Sequence, residues 1–138
     1  MKSLVESRWK FDDYECAILC IPYGHRCGYV GIPNTHHLYR VFYIHILDDL
    51  DVHGGITYSG FGDFKYPIFQ NVKNAKWFFG FDTAHYMDAK DPEILKMFDM
   101  PRQANYSILS TVKTNEYCVN ETNKLAEQLK IIERSCPR

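Results

Sequence analysis

The chain has 138 residues, a formal net charge of −1, and 46% apolar, 24% charged and 15% aromatic residues. That length fits one domain around one core, and the near-neutral balance excludes the overall basic footprint of a general DNA or RNA binder. No apolar run approaches the ~20 residues that span a bilayer, and the opening MKSLVESRWK lacks the apolar stretch of a secretory signal, so the expectation is a cytoplasmic protein without membrane contact.

The first segment, from Trp9, is rich in aromatic and aliphatic residues, and CAILCIPY reads as a buried strand ending at Pro22. Gly24 and His25 then make a turn, CGYVGIP reads as the returning strand, and residues 15–33 are predicted to form a β-hairpin. Residues 34–50 have polar ends around aromatic residues and fit a loop with either a short helix or a short strand. Residues 50–59 predict a strand, a Gly-Gly bend and a second short strand. FKYPIFQNVKNAK reads as a connection, because Pro67 disfavours a central strand. KWFFGFDTA, residues 76–84, predicts a strand whose tryptophan and three phenylalanines want burial on two faces or at an interface. Residues 88–102 fit a short helix with Pro92 in its first turn and Pro101 after its end.

The final segment predicts the clearest helix. Thr114 suits the N-cap and Glu116 the first turn. Cys118, Thr122, Leu125, Leu129 and Ile132 then form one apolar stripe at 4-3-4-3 spacing. The fold class that follows is α+β: a single ligand-binding domain over residues 1–138, with an antiparallel sheet of about four or five strands carrying the long C-terminal helix on one face.

Three polar-aromatic clusters are candidates for chemistry. In DVHGGITYSG, a strand would project Asp51 and His53 to the same side. Gly54 and Gly55 would let backbone N–H groups approach an anion, and Thr57, Tyr58 and Ser59 would offer hydroxyls. These are ingredients of a phosphate site, but no lysine follows the glycines as in a Walker loop, and a plain Gly-Gly hairpin turn uses the same residues. In FGFDTAHYMD, Asp82 and His85 follow an apolar strand. With Asp51 and His53 they make a set able to bind Zn²⁺, Mn²⁺ or Fe²⁺ or to run acid–base chemistry. No HxH or HExxH spacing is present, and satisfied histidine–aspartate hydrogen bonds at strand ends explain the same residues. The third cluster is YGHRCGY, where a turn would expose His25 and Arg26 beside Tyr23; THHLYR repeats the mixture with His36, His37, Tyr39 and Arg40, and plain solvated turns explain the same residues. Arginine pairs with phosphate and tyrosine stacks on bases.

No catalytic residue, metal or cofactor is expected from the remaining signals. The five cysteines (Cys16, Cys20, Cys27, Cys118, Cys136) are odd in number and lack zinc-site spacing, which reads as reduced thiols. Ser59 lacks a nucleophile elbow.

GHRCGYVGIP, LDVHGGITYSG, WFFGFDTAHYMD and NKLAEQL, in this order, resemble a widespread family of small phage and bacterial proteins. The similarity runs over residues 16–129. The chain is further similar to phage sponges that counter CBASS defence by sequestering its cyclic nucleotide signals. That resemblance implies a homo-oligomer in the host cytoplasm that binds a cyclic (di)nucleotide second messenger without cleaving it, and no nucleic-acid polymer. Under it, Tyr23, His25, Arg26, Tyr39 and Arg40 would contact bases and phosphate. His53, Gly54, Gly55, Thr57, Tyr58 and Ser59 would floor the pocket, and Asp82 and His85 would orient neighbours or bond a base edge. The alternatives are a metal-dependent hydrolase using Asp51, His53, Asp82 and His85, and an interaction module whose aromatic surface binds a host protein.

Overall fold

The computed structural model describes residues 3–62 and 76–135. Five strands form one sheet: β1 (Leu4–Phe11), β2 (Tyr14–Ile21), β3 (His25–Ile32), β4 (Tyr58–Phe61) and β5 (Trp77–Asp82). Their order is β1-β2-β3-β5-β4 and every neighbouring pair is antiparallel. Two short strands, β6 (Asp88–Ala89) and β7 (Thr111–Val112), pair in parallel beside it. Among the described residues the α-helices are α1 (Pro92–Met97) and α2 (Asn115–Ser135), so the α+β class and the long C-terminal helix stand as expected.

The sheet is covered on both faces, which explains why β2, β3 and β5 read as nearly continuous apolar runs. One face carries Cys16, Val30, Ile32, Trp77, Phe79 and Phe81 against Leu125, Ala126 and Leu129 of α2. The other carries Ala17, Leu19, Cys27, Tyr29 and Phe78. Gly28 sets the depth of the helix: a Cβ there would lie 2.3 Å from the Phe81 ring and 2.5 Å from the Thr122 hydroxyl. The predicted stripe is the buried one, with Cys118, Thr122, Leu125 and Leu129 inside and Ile132 packed at the margin. Each large apolar side chain so buried contributes roughly 1.5–3 kcal/mol. Thr114 caps α2 by accepting the Tyr117 N–H at 3.2 Å, and Asp91 caps α1 by accepting the Glu93 N–H at 2.9 Å.

Three expectations change. β1 is a strand with no counterpart among the expected elements; a register shift between Val5 and Ser7 interrupts its alternation. Residues 34–50 hold no strand, only a single 3-10 turn at Tyr43–His45. The first strand expected within residues 50–59 is absent as well, and only β4 forms there. Side chains of α2 take the backbone groups that a ladder would have used. Gln128 Oε1 accepts the Asp51 N–H at 2.7 Å, Gln128 Nε2 donates to the Asp51 carbonyl at 2.7 Å, and Glu121 Oε1 accepts the His53 N–H at 2.9 Å. The connection expected over residues 64–76 lies, up to residue 75, outside the described residues.

Candidate functional site

The segment before β4 is a turn closed by the Gly55 N–H donating to the Val52 carbonyl at 2.8 Å. Gly54 and Gly55 have φ of +68° and +80°, a region that side chains disfavour. A Cβ on Gly54 would lie 2.1 Å from His85 Nε2, so this glycine is what lets the His85 ring rest on the backbone. The result is two imidazoles, of His53 and His85, with ring centroids 5.8 Å apart.

Each ring has its own carboxylate. His53 Nε2 lies 2.9 and 3.0 Å from the two oxygens of Asp88. A carboxylate only accepts, so Nε2–H donates, and Nδ1 of the neutral ring accepts the Tyr117 hydroxyl at 2.8 Å. His85 Nε2 lies 3.3 Å from Asp82 Oδ1. Asp82 is itself held by the Thr57 hydroxyl at 2.9 Å and the Ala84 N–H at 3.0 Å. His53 is largely enclosed, whereas the His85 side chain is 40% exposed.

Asp88 is the hub. Besides His53 it accepts the His85 N–H at 3.0 Å and pairs with Lys113 at 3.1 Å, with its side chain only 2% exposed. Burial alone would raise its carboxyl, but the hydrogen bonds from His53, the His85 backbone and Lys113 outweigh it and hold the group below the usual carboxylate range. Burial, with Glu121 and Asp88 nearby, pushes the Tyr117 phenol up, so it keeps the proton it gives His53.

The predicted residues separate into groups. His53, Gly54, Thr57, Asp82 and His85 come together as described, with Gly55 in the same turn. Asp51 does not join them; it points outward toward Lys124 at 3.8 Å. The expectation that a turn exposes Arg26 is overturned. His25 and Arg26 already belong to β3, and Arg26 is 6% exposed. Its guanidinium takes both oxygens of Glu6, at 2.8 and 3.1 Å, one of Asp91 at 2.9 Å, and the Lys113 carbonyl at 3.1 Å. His25 is half-buried beside it, its Nδ1 without a hydrogen-bond partner among the described residues. Tyr23 remains exposed at the hairpin end.

Tyr39 and Arg40 lie at the other end of β5. Both rest on Phe61, at 5.7 and 5.2 Å, and Phe61 pairs with Trp77, five residues from Asp82. That separation is roughly 17 Å along the strand. Tyr58 stacks edge-on against Tyr29 on the face away from α2, and the Ser59 hydroxyl accepts the Tyr43 N–H at 2.9 Å. The Tyr39–Arg40 segment therefore lies away from the glycine turn, whereas the start of β3 shares its end of the sheet: Cys27 pairs with Asp82 and His25 lies within electrostatic reach of Asp82 and Asp88, while the Arg26 side chain turns away to Glu6 and Asp91. A cleft of about 360 Å³ lies against α1, lined by Pro92, Glu93, Leu95, Lys96, Met100 and Arg102, with none of the predicted residues in its wall.

Asp88, Lys113, Tyr117 and Glu121 belong to the site and were not singled out from sequence. A signal existed for three of them. Asp82, His85 and Asp88 recur every three residues, and Tyr117 and Glu121 are four apart on α2 beside the apolar stripe. Among the described residues no group of three or more His, Cys, Asp or Glu is arranged to hold a metal ion. Cys16, Cys20, Cys27 and Cys118 are buried, and burial pushes their thiols up to about 12, so they stay protonated near neutral pH. Protein-family models, curated proteins and solved structures were all compared with the chain, and none matches it.

Proposed function

We propose that this protein binds a small nucleotide-type ligand, a cyclic mono- or dinucleotide signal, at the His53–His85 surface and holds it without cleaving it. The observation that carries the reading is the glycine turn, which brings the accessible His85 ring to 5.8 Å from the enclosed His53 ring. Tyr86, next in the chain to His85, is 65% exposed, and Tyr117 is partly so; both offer rings on which a base can stack. In a phage-encoded protein such binding would act against host defence in the cytoplasm, with more than one copy of the chain per assembly. Arg26 has no part in this site, and the phosphate-facing role passes to His85.

A second reading is favoured by the two carboxylate–imidazole pairs. Asp82 behind His85 and Asp88 behind His53 are arrangements that serve acid–base catalysis without a metal. One experiment separates them. The purified protein is mixed with a panel of cyclic nucleotides, separated from free ligand, heated, and the released material weighed by mass spectrometry. One intact nucleotide, lost in both His85→Ala and His53→Ala, is the expected result. A cleaved product makes the protein an enzyme, and release of nothing overturns nucleotide binding.

A further inference from the structure

The charges around the two imidazoles are unsuited to an anion while the rings are neutral. From the glycine turn comes Asp51; from the end of β5, Asp82; from β6, Asp88; from α2, Glu121. Against these stand Lys113, paired with Asp88, and Lys124, paired with Glu121 and Asp51. Asp51 points away toward Lys124, so the carboxylates that face the rings exceed the two lysines by one negative charge. His25 on β3 lies within electrostatic reach of Asp82 and Asp88 and adds no fixed charge, and the Tyr117 phenol stays neutral.

His85 is the group able to change this. Its Nε2 faces Asp82, while its Nδ1 has no hydrogen-bond partner among the described residues. Imidazole is the side chain whose charge changes near neutral pH. An imidazolium donates from both nitrogens, so a protonated His85 keeps Asp82 on one side and presents Nδ1–H outward on the other. An oxyanion arriving there stabilises the charged ring, and the charged ring stabilises the oxyanion.

We propose that His85, backed by Asp82 and with His53 beside it, is an oxyanion site that takes up a proton when its ligand binds. The proposal rests on the nucleotide reading in taking the phosphodiester group as the natural oxyanion. It adds that affinity is tied to pH, tightening by about tenfold per pH unit of acidification wherever one proton is taken up per ligand.

Two probes test it, each of constant charge across about pH 5.5 to 8.5: inorganic sulfate and a 3′,5′-linked cyclic dinucleotide. NMR titration of the imidazole Hε1 signals in the full chain is expected to show sulfate raising the midpoint of His85, and calorimetry to show dinucleotide affinity falling as pH rises. His85→Gln, which cannot titrate, should flatten the profile. A sulfate effect without dinucleotide binding supports the oxyanion site and overturns the nucleotide reading. Dinucleotide binding of unchanged affinity across the range supports the nucleotide reading and overturns the proton link. An unmoved His85 midpoint in saturating sulfate also overturns the link.

Discussion

Gly54 and Gly55 are neighbours with positive φ, yet a methyl group has different consequences at the two positions. At Gly55 nothing among the described residues lies within 4 Å of an added Cβ. Gly55→Ala then costs only the left-handed backbone, about 1–2 kcal/mol. At Gly54 the same backbone cost is joined by a collision with the His85 ring at 2.1 Å. Gly54→Ala should therefore displace His85 as well as destabilise the fold. Urea unfolding of both variants, with the His85 Hε1 shift as the local reporter, checks this: Gly55→Ala is expected to leave that shift in place and Gly54→Ala to move it. Asp88 is the other residue on which the site hangs. Asp88→Asn removes a buried charge that Lys113 and His53 both face. It should cost about 3 kcal/mol in urea unfolding, the range found when one member of a buried ion pair is removed.

Among the elements, those with a strong local pattern were legible in the sequence. The β2–β3 hairpin and β5 have apolar runs bounded by turn residues, and α2 has both a cap and a stripe. Residues 50–57 misled because their backbone partners are side chains far along the chain. Gln128 and Glu121 are 77 and 68 residues from Asp51 and His53, and no local window contains such a pairing. The same distance hid part of the site. Asp82, His85, Thr57 and the glycines were legible as motifs, whereas Lys113 carries no local signal and joins only through tertiary folding. Arg26 misled in the opposite direction, since its partners Glu6 and Asp91 come from β1 and the start of α1. The helix-to-turn strap makes its own prediction. Gln128→Ala frees both backbone groups of Asp51, and because these face solvent the cost should be about 1 kcal/mol. Amide hydrogen exchange should accelerate at residues 51–53 and stay unchanged in β2 and β3; equal acceleration throughout would mean that Gln128 supports the whole core instead.

For the whole molecule, the core and the surface respond to protons in opposite ways. His36 is fully buried. Its Nε2–H donates to the Leu129 carbonyl at 2.8 Å, so its bare Nδ1 accepts the Leu38 N–H at 2.9 Å. Adding a proton to Nδ1 would set two hydrogens against each other in a dry site. Burial accordingly holds His36 below the ordinary imidazole value of 6.5, and burial does the same for His25. The unfolded chain binds these protons more readily than the folded one. Their stabilising contribution is therefore complete above pH 6.5 and is lost as pH falls from there toward the depressed folded values. Each imidazole that charges only on unfolding gives a slope of about 1.4 kcal/mol per pH unit in that window. Asp88, Glu6 and Asp13, held below the carboxylate range by their cationic partners, extend the loss at lower pH. Stability from urea unfolding should thus level off above neutrality and decline below it, and His36→Gln should reduce the slope just below pH 6.5 whatever its effect on stability at the plateau. A ligand that binds with proton uptake pulls the other way, its affinity growing as the fold weakens. Saturating ligand should then offset part of the acid decline in wild type, and that offset should vanish in His85→Gln, a variant of the surface ring that leaves His36 in the core untouched.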